Sequence, residues 1–401
     1  MRPVEAPRVL ETIMKSTSDV VIIGGGCMGA STAYHLASLG IQNVVLLERE
    51  AQLAVGSTGR NAGGVRHQFS TRQNIQLSME SIHLIERFEE EVGYPMDFHQ
   101  DGYLFLLSTP ESVEIFRNNI TLQRSLGIEV DLVSPDEAVR LAPGLSVDGV
   151  LAASYCARDG IADPNGLTMG FARAAQAKGV QIERNTTVTG ITIDKHRITG
   201  VTTNKGTIST PCVVNATGPH AARVAALAGV EVPVTPLRRN IFIAQPPDEA
   251  ASGVNYPDNH IMVIDSATSF YFHREGPNIL FGMGDPDETP GFDMTVRWDF
   301  LDSVVEVAMS RLPTLVEGKV SHAWAGLYAM SPDGNAIIGE ANTVAGFYLI
   351  NGFSGHGFQQ SPAVGRLLAA QIAGHDTDID LSPFALDRFG AGTTSPEANV
   401  V

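Results

Sequence analysis

The alternation of apolar and polar positions near the start of the chain predicts a strand, a helix and a second strand. Residues 19–48 begin with an apolar run, pass through a glycine turn into an alanine-rich segment with helical apolar spacing, and end in another apolar run. The turn fits the GxGxxG spacing through Gly24, Gly26 and Gly29, and Glu48 ends the second strand. This βαβ unit is typical of a dinucleotide site, where the pyrophosphate meets the helix N-terminus and an acid meets the ribose.

Shorter patterns follow in the middle and at the end of the chain. Residues 166–218 predict one helix, then alternating strands broken by Asn, Gly and Lys, and finally an apolar strand that returns to the first sheet. Residues 346–374 predict a strand, a glycine-rich turn and a helix. Strands of the kind that build an antiparallel sheet are predicted at 101–108, 235–245, 269–275 and 278–284. These strands indicate a second domain formed from two separated segments.

Composition narrows the class of protein. The chain has 401 residues, 43% of them hydrophobic, which is enough for two domains with large cores. Its net charge of -17 argues against a general surface for nucleic acid or anionic membrane. No signal-peptide core or run of about 18 apolar residues occurs. The three cysteines show no CxxC or zinc spacing, so we expect a cytoplasmic protein without a disulfide framework or a metal.

Both ends of the chain are expected to be poorly ordered. Met14 stands directly before the first predicted strand, so residues 1–13 read as an upstream extension. The composition of GAGTTSPEANV near the other end predicts disorder as well.

One loop concentrates positive charge in this acidic chain. Residues 56–70, GSTGRNAGGVRHQFS, carry four glycines, two arginines and a histidine, which indicates a local anion. Together with the GxGxxG unit, the NATG segment at 215–218 and the last strand–turn–helix, the chain has several glycine-rich segments. This arrangement indicates one long cofactor that touches all of these segments, which favours FAD over NAD.

At this point the chain resembles a known family. The segments VIIGGGCMGASTAYHLA, VVLLERE, VVNATG, SPDGNAIIG and GFSGHGFQQSPAVGRLLA look like those of the FAD-dependent amine and amino-acid oxidoreductases of the D-amino-acid oxidase group. Within the group, the chain resembles sarcosine oxidase, the β subunits of sarcosine oxidase and proline dehydrogenase, dimethylglycine dehydrogenase and D-arginine dehydrogenase. The resemblance covers about residues 19–385.

The resemblance implies an α/β fold with a Rossmann-like FAD-binding domain and an α+β substrate domain built on an antiparallel sheet. We expect the FAD domain to comprise 17–95, 150–225 and 325–390, the substrate domain 96–149 and 226–324, and the flexible termini 1–16 and 391–401. The FAD-binding residues that it implies are Gly24, Gly26, Gly29, Glu48, Arg49, Ser57, Thr58, Arg60, Asn61, Ala62, Gly63, Gly64, Gly218, Gly326, Gly355, His356, Gly357 and Phe358.

The resemblance also implies a substrate site. Arg66 matches an arginine that binds the substrate carboxylate, for which a guanidinium fork offers two parallel charged hydrogen bonds. Tyr271 and Tyr328 would form cavity walls over the flavin, His356 would lie at its pyrimidine edge, and His67 is a further candidate. Alternatively, Arg66 pairs with an acidic side chain or the pyrophosphate, the tyrosines are core aromatics, and His67 is a packed histidine.

Several positions depart from the family pattern. Gly326 and Arg60 stand where relatives carry residues that link flavin covalently, and Pro164 stands near a third such position, so we expect FAD to bind without a covalent bond. Leu280 and Gln359 replace lysines that assist reaction with oxygen and bind the carboxylate in sarcosine oxidase, so a dehydrogenase is favoured over a fast oxidase.

The resemblance therefore implies an enzyme that oxidises the C–N bond of a secondary, N-methylated or D-amino acid by hydride transfer to flavin N5. Its partners would be a small amino-acid or amine substrate and either a partner subunit or an electron-acceptor protein. Two alternatives stay open: an FAD-dependent 2-hydroxy-acid or glycerol-phosphate dehydrogenase, and a non-catalytic flavoprotein that acts as an assembly factor.

Overall fold

The computed structural model describes residues 15–245 and 257–399, so the expectation for residues 1–13 lies outside the described residues. The described α-helices are α1 Cys27–Ser38, α2 Arg72–Glu86, α3 Phe88–Val92, α4 Pro110–Ser125, α5 Pro135–Leu141, α6 Pro164–Ala177, α7 Ala221–Ala226, α8 Leu301–Arg311, α9 Gly357–Ile372 and α10 Arg388–Ala391.

The strands come from the whole length of the chain. They are β1 Val20–Ile23, β2 Val44–Leu47, β3 Gly64–Val65, β4 Phe98–His99, β5 Tyr103–Leu107, β6 Asp131–Val133, β7 Ala152–Cys156, β8 Gly160–Ala162, β9 Gln181–Glu183, β10 Val188–Asp194, β11 Arg197–Thr203, β12 Gly206–Ser209, β13 Val213–Asn215, β14 Thr235–Gln245, β15 Met262–Asp265, β16 Phe270–Glu275, β17 Asn278–Met283, β18 Lys319–Met330, β19 Ile337–Glu340 and β20 Phe347–Asn351.

The first sheet has the order β19-β20-β13-β1-β2-β9, and its strands are parallel except at the β19–β20 pair. Strand β1 is buried along its whole length because both faces of the sheet are covered. Val20 and Ile22 face the core formed with α1, α2, α6 and α9, whereas Val21 and Ile23 face the core under the β10–β11–β12 meander and α7. The predicted βαβ unit and the strand that returns to the first sheet are both present.

The second sheet has eight strands in the order β18-β14-β17-β16-β15-β5-β7-β6. Four of its strands match the segments predicted at 101–108, 235–245, 269–275 and 278–284. All neighbours are antiparallel except β5 and β15, which run parallel. The α/β fold class with a second, largely antiparallel sheet is confirmed.

Two details of the predicted organisation differ from the structure. Strand β7, which falls in the range 150–225 expected for the FAD domain, lies in the second sheet because it pairs antiparallel with β5 and β6. The segment 392–399 is not free: Glu397 and Asn399 are each 5% exposed. Composition predicted disorder there because the segment has few apolar residues, but polar contacts hold it in place. Residues 400–401 lie outside the described residues.

Across residues 15–245 and 257–399, no helix is both long enough and apolar enough to cross a bilayer.

Candidate active site

The turn between β1 and α1 is built for close backbone approach. Gly24 has φ +112°, and a Cβ on it would lie 2.4 Å from the carbonyl oxygen of Ala216. A Cβ on Gly29 would lie 1.9 Å from the carbonyl oxygen of Gly24. Both positions therefore exclude any side chain, as expected of a pyrophosphate-binding turn.

Glu48 stands at the end of β2, next to this turn. Its Oε2 accepts a hydrogen bond from the amide of Gly25 at 2.7 Å, and its Oε1 accepts one from the amide of Glu50 at 2.9 Å. The carboxylate is thus oriented by the backbone, while the neighbouring Arg49 forms an ion pair with Glu50 at 3.0 Å.

The loop at 56–70 connects the two sheets. Ser57 donates to the carbonyl of Leu327 at 2.5 Å, and Arg60 Nη1 donates to the carbonyl of Ala325 at 2.9 Å, both in β18. Thr58 Oγ1 accepts from the first amide of α1, that of Cys27, at 3.2 Å. These bonds fix the loop between the nucleotide-binding turn and the second sheet.

The glycine-rich segments and the second sheet enclose one cavity of about 1160 Å³. Of the predicted FAD-binding residues, only Gly29 and Gly63 do not line it, and both instead allow close backbone packing. Of the predicted substrate-site residues, only His67 does not line it. The cavity also reaches residues 186–189 beyond Glu48, so it is elongated.

The ends of two long helices open onto this cavity. Neither α1 nor α9 is capped by the side chain at its N-cap, which is Gly26 and His356 respectively. His356 also has both ring nitrogens buried and without a hydrogen-bond partner among the described residues. Helix N-termini favour negative charge, and buried polar atoms require partners. The residues therefore fit FAD: the N-terminus of α1 would hold its pyrophosphate, and that of α9 would hold an electron-rich edge of the flavin.

His356 is held as a neutral imidazole. Burial, reinforced by the charge of Arg66, lowers its pKa to about 3. Its ring contacts Phe69 and Phe353, with centroid distances of 5.2 and 6.4 Å. At neutral pH its ring can donate one hydrogen bond to a bound group and accept another, but it is a poor base.

Tyr271 and Tyr328 form part of the cavity wall. Burial raises the pKa of each phenol, although the charge of Arg239 opposes the rise. Two glycines make room for the rings: a Cβ on Gly282 would lie 2.5 Å from Tyr271 Oη, and one on Gly355 would lie 2.4 Å from the Tyr328 ring. Both phenols are thus protonated donors at neutral pH.

Arg66 lines the same cavity, but its guanidinium is bonded to the protein. Nη1 donates to the carbonyl of Gln68 at 2.7 Å, Nη2 donates to the carbonyl of Asn399, and Cζ lies 4.0 Å from the ring centroid of Phe69. Burial lowers its pKa, against the opposing charges of Glu397 and Asp159. The side chain of Gln359, which stands where sarcosine oxidase was expected to have a lysine, accepts a hydrogen bond from the Arg66 amide at 2.6 Å. Gln359 therefore helps to hold the Arg66 backbone in place.

The structure does not place His67, a predicted catalytic candidate, among the residues that line the cavity. Its Nδ1 lies 2.6 Å from Asp159 Oδ1, which also accepts from the His67 amide at 2.8 Å. Cys156 lies behind it, with Sγ 4.0 Å from Nδ1. His67 is the packed, hydrogen-bonded histidine of the alternative interpretation, because Asp159 holds both its ring and its backbone.

The sequence analysis did not single out Arg239 on β14, a charged residue that lines the cavity. A signal was available: Arg238 and Arg239 are consecutive on a predicted strand, so their side chains must face opposite sides of the sheet. The sequence could not show which side faces the cavity. His220, Arg223 and Phe292, which also line the cavity, were missed because they lie in loops and a short helix without a recognisable motif.

The βαβ turn, the open helix ends and the cavity between the sheets define a flavin-dinucleotide-binding oxidoreductase. The chain belongs to the DAO family of FAD-dependent oxidoreductases, which residues 19–371 match. FAD is therefore its cofactor.

Relatives agree with this assignment. The chain is 31% identical to human mitochondrial sarcosine dehydrogenase over 94% of its own length, but it spans only 42% of that protein. It is 33% identical to the Bos taurus FAD-dependent oxidoreductase domain-containing protein 1, covering 95% of the chain and 86% of the relative. The crystal structure of L-proline dehydrogenase from P. horikoshii superposes with a TM-score of 0.88 at 35% identity, covering 95% and 100% of the two chains.

Proposed function

We propose that the protein is an FAD-dependent dehydrogenase that oxidises the C–N bond of a secondary, N-methylated or D-amino acid to an imine, which water then hydrolyses. Sarcosine dehydrogenase and L-proline dehydrogenase, two of the similar proteins, are named for amino acids whose nitrogen carries a second carbon. Bound FAD would supply the acceptor for the hydride. The chain's own residues would bind and orient the amino acid.

The observation that carries the proposal is the protonation chemistry of the cavity wall around Tyr271 and Tyr328. His356 is neutral with a pKa of about 3, and burial raises the pKa of both phenols, so none of these three groups is a base matched to neutral pH. Oxidation of an alcohol needs a base for the hydroxyl proton. An amine that enters neutral needs none, because its nitrogen lone pair is already free. The cavity thus favours C–N over C–O oxidation.

The other wall residues would exclude water from the reacting carbon. Ile241, Met262 and Ile264 line the cavity from the second sheet, and each is less than 5% exposed. An apolar wall strengthens hydrogen bonds from the tyrosine hydroxyls to a bound substrate, because no water competes for them.

A dehydrogenase is favoured over a fast oxidase. Leu280, which replaces the lysine that assists reaction with oxygen in sarcosine oxidase, is 3% exposed and lies in an apolar cluster of the second sheet. An uncharged side chain there cannot stabilise a negatively charged oxygen species.

The test is an anaerobic titration of the holoprotein with sarcosine, dimethylglycine, L- and D-proline, a panel of D-amino acids, lactate and glycerol phosphate. Loss of the oxidised-flavin absorbance is followed. Bleaching by an amino acid, but not by the hydroxy compounds, would support the proposal and name the substrate class. Bleaching by lactate or glycerol phosphate alone would replace it with the C–O alternative. Bleaching by dithionite only would favour the non-catalytic alternative.

A further inference from the structure

We propose that Arg239, and not Arg66, binds the carboxylate of the substrate. The inference rests on the proposed function, in which the substrate is an amino acid. It assigns the carboxylate to a residue on the second sheet and gives Arg66 a structural role.

The alternation along β14 separates two neighbouring arginines. Arg238 is neutralised on one side of the strand, with Nε 3.0 Å from Glu288 and Nη1 2.8 Å from Asp293. Arg239 follows it directly and therefore faces the other side, where it lines the cavity. The two cations of this strand thus have different surroundings.

Arg239 has unused hydrogen-bonding capacity. Its Nε is buried and has no partner among the described residues, and Nη1 donates to the Arg238 carbonyl at 3.2 Å. No carboxylate of the described residues lies within ion-pair distance of it. A buried donor without a partner is costly, and a guanidinium next to an open cavity satisfies that donor best with an anion.

The neighbours of Arg239 suit a carboxylate. Its Cζ lies 5.0 Å from the ring centroid of Tyr328, and its charge lowers the pKa values of both Tyr328 and Tyr271 against the effect of burial. The guanidinium is therefore close to two protonated hydroxyls. A carboxylate there would receive charged hydrogen bonds from Arg239 and could accept another from a tyrosine hydroxyl.

Arg66 offers less to a ligand. Two of its terminal nitrogens already donate to the carbonyls of Gln68 and Asn399, and its plane covers Phe69. A substrate carboxylate would share these nitrogens with two carbonyl groups, whereas the Nε of Arg239 has no partner among the described residues.

The experiment measures binding separately from turnover. Calorimetric titrations of the holoprotein with acetate, and with acetamide as the uncharged counterpart, are made for the wild type and for Arg239→Gln, Arg239→Lys, Arg66→Gln and Arg238→Gln. Arg238→Gln is the matched control, since it removes a cation from the other face of the same strand. Circular dichroism and flavin content confirm that each variant is folded and loaded.

Arg239→Gln is expected to weaken acetate binding by about 10- to 100-fold, and Arg239→Lys to restore part of it, because an ammonium keeps the charge but loses the fork. Arg238→Gln should keep the wild-type affinity for acetate. The affinity for acetamide should be the same in all variants and in the wild type. The inference is overturned if Arg239→Gln binds acetate like the wild type, if Arg66→Gln loses more affinity than Arg239→Gln, or if the wild type binds no acetate.

Flavin bleaching then separates this inference from the proposed function. With an amino acid that reduces the wild type, Arg239→Gln should raise the apparent Kd in anaerobic titrations by a similar factor. If no amino acid reduces the wild type but acetate binding still depends on Arg239, the proposed reaction fails while the carboxylate site stands.

Discussion

Gly355 shows how a single position can be fixed by a neighbouring ring. Its φ is +102°, which side-chain-bearing residues rarely adopt, and a Cβ there would collide with the Tyr328 ring at 2.4 Å. The family resemblance placed Gly355 at the flavin. The structure adds that it also provides the space for a cavity tyrosine.

Gly355→Ala should therefore lower the free energy of unfolding by more than about 2 kcal/mol, since strain and collision act together. It should also weaken FAD retention, because Tyr328 must move. The matched control is Gly374→Ala, at φ +76° with no atom within 4 Å of the added methyl group, which should lose only about 1 kcal/mol. Urea unfolding measures both, and equal losses would contradict the role of the Tyr328 contact.

Some site residues could be assigned from a local motif, whereas the roles of others depend on contacts with residues distant in the chain. The glycines of the βαβ turn could be assigned from spacing alone, because GxGxxG is a local motif with a local geometry. Arg66, His67 and Arg239 could not be ranked from the sequence. Whether a cation is free or bonded is decided by residues such as Asn399 and Asp159, which are distant in the chain.

At the scale of elements, α2 begins without a hydrogen bond from its own N-cap side chain, and a distant segment supplies the cap. The Glu397 carboxylate accepts from the Ser70 hydroxyl at 2.6 Å, the Thr71 hydroxyl at 3.0 Å and Asn74 Nδ2 at 2.9 Å. A negative charge at a helix N-terminus is favourable. Hydrogen bonds therefore hold the segment 392–399 against the N-terminus of α2 and, through the Asn399 carbonyl, against Arg66.

Glu397→Gln should lower the free energy of unfolding at pH 7 by about 1–3 kcal/mol, because a buried charged acceptor is lost. Burial raises the pKa of Glu397, but hydrogen bonds from Ser70 and Asn74 outweigh it, so the folded-state pKa is below the usual value. Its contribution is thus present above the unfolded-state pKa and lost as pH falls through the folded-state pKa.

Urea unfolding between pH 7 and pH 3 checks this expectation, with exposed Glu231→Gln as the control. The Glu397→Gln deficit should shrink as the pH falls, while Glu231→Gln should follow the wild type. A deficit that stays constant down to pH 3 would show that the charge of Glu397 does not matter.

Elements whose pattern is local were predicted well. The strand predicted at 235–245 has the same bounds as β14. The order of strands in the second sheet, including the parallel pair of β5 and β15, could not be predicted because it depends on contacts between segments about 160 residues apart.

At the scale of the whole molecule, FAD would bridge the βαβ turn, the 56–70 loop and the wall of the second sheet. The positions that the family resemblance associates with a covalent flavin link offer no nucleophile here: Gly326 has no side chain, Arg60 is bonded to the β18 backbone, and Pro164 starts α6. Removing FAD should therefore be possible without breaking a covalent bond.

Acid precipitation should release all of the flavin into the supernatant, and the refolded apoprotein should melt at a lower temperature than the holoprotein. Adding FAD at 100 times its Kd should restore about 2.7 kcal/mol of stability. Flavin that remains with the acid-precipitated protein would contradict non-covalent binding.

Four histidines give the whole molecule an expected sensitivity to acid. Burial lowers the pKa of His35 and His356 to about 3 and that of His220 and His273 to about 4. The unfolded chain binds protons at these sites below its usual histidine pKa of about 6.5, and the folded chain does not. Stability should thus fall as pH drops from about 6.5 towards 4.

Each such histidine contributes a slope of up to about 1.4 kcal/mol per pH unit in that window. Chemical unfolding at pH 7, 6 and 5 measures the slope. His35→Phe should reduce it, whereas substitution of the exposed His322 by Gln should leave it unchanged. A free energy of unfolding that is flat between pH 7 and 5 would contradict the burial of these neutral histidines.

The sequence by itself determined the βαβ unit, four strands of the second sheet, the choice of FAD and the glycine-rich part of the cavity lining, because glycine spacing and apolar periodicity act over short stretches of chain. Only the tertiary structure decided which cavity arginine keeps an unpartnered Nε among the described residues, why the His67 ring lies against Asp159, and where the segment 392–399 packs. These outcomes depend on hydrogen bonds and burial between residues far apart in the chain, which no local pattern records.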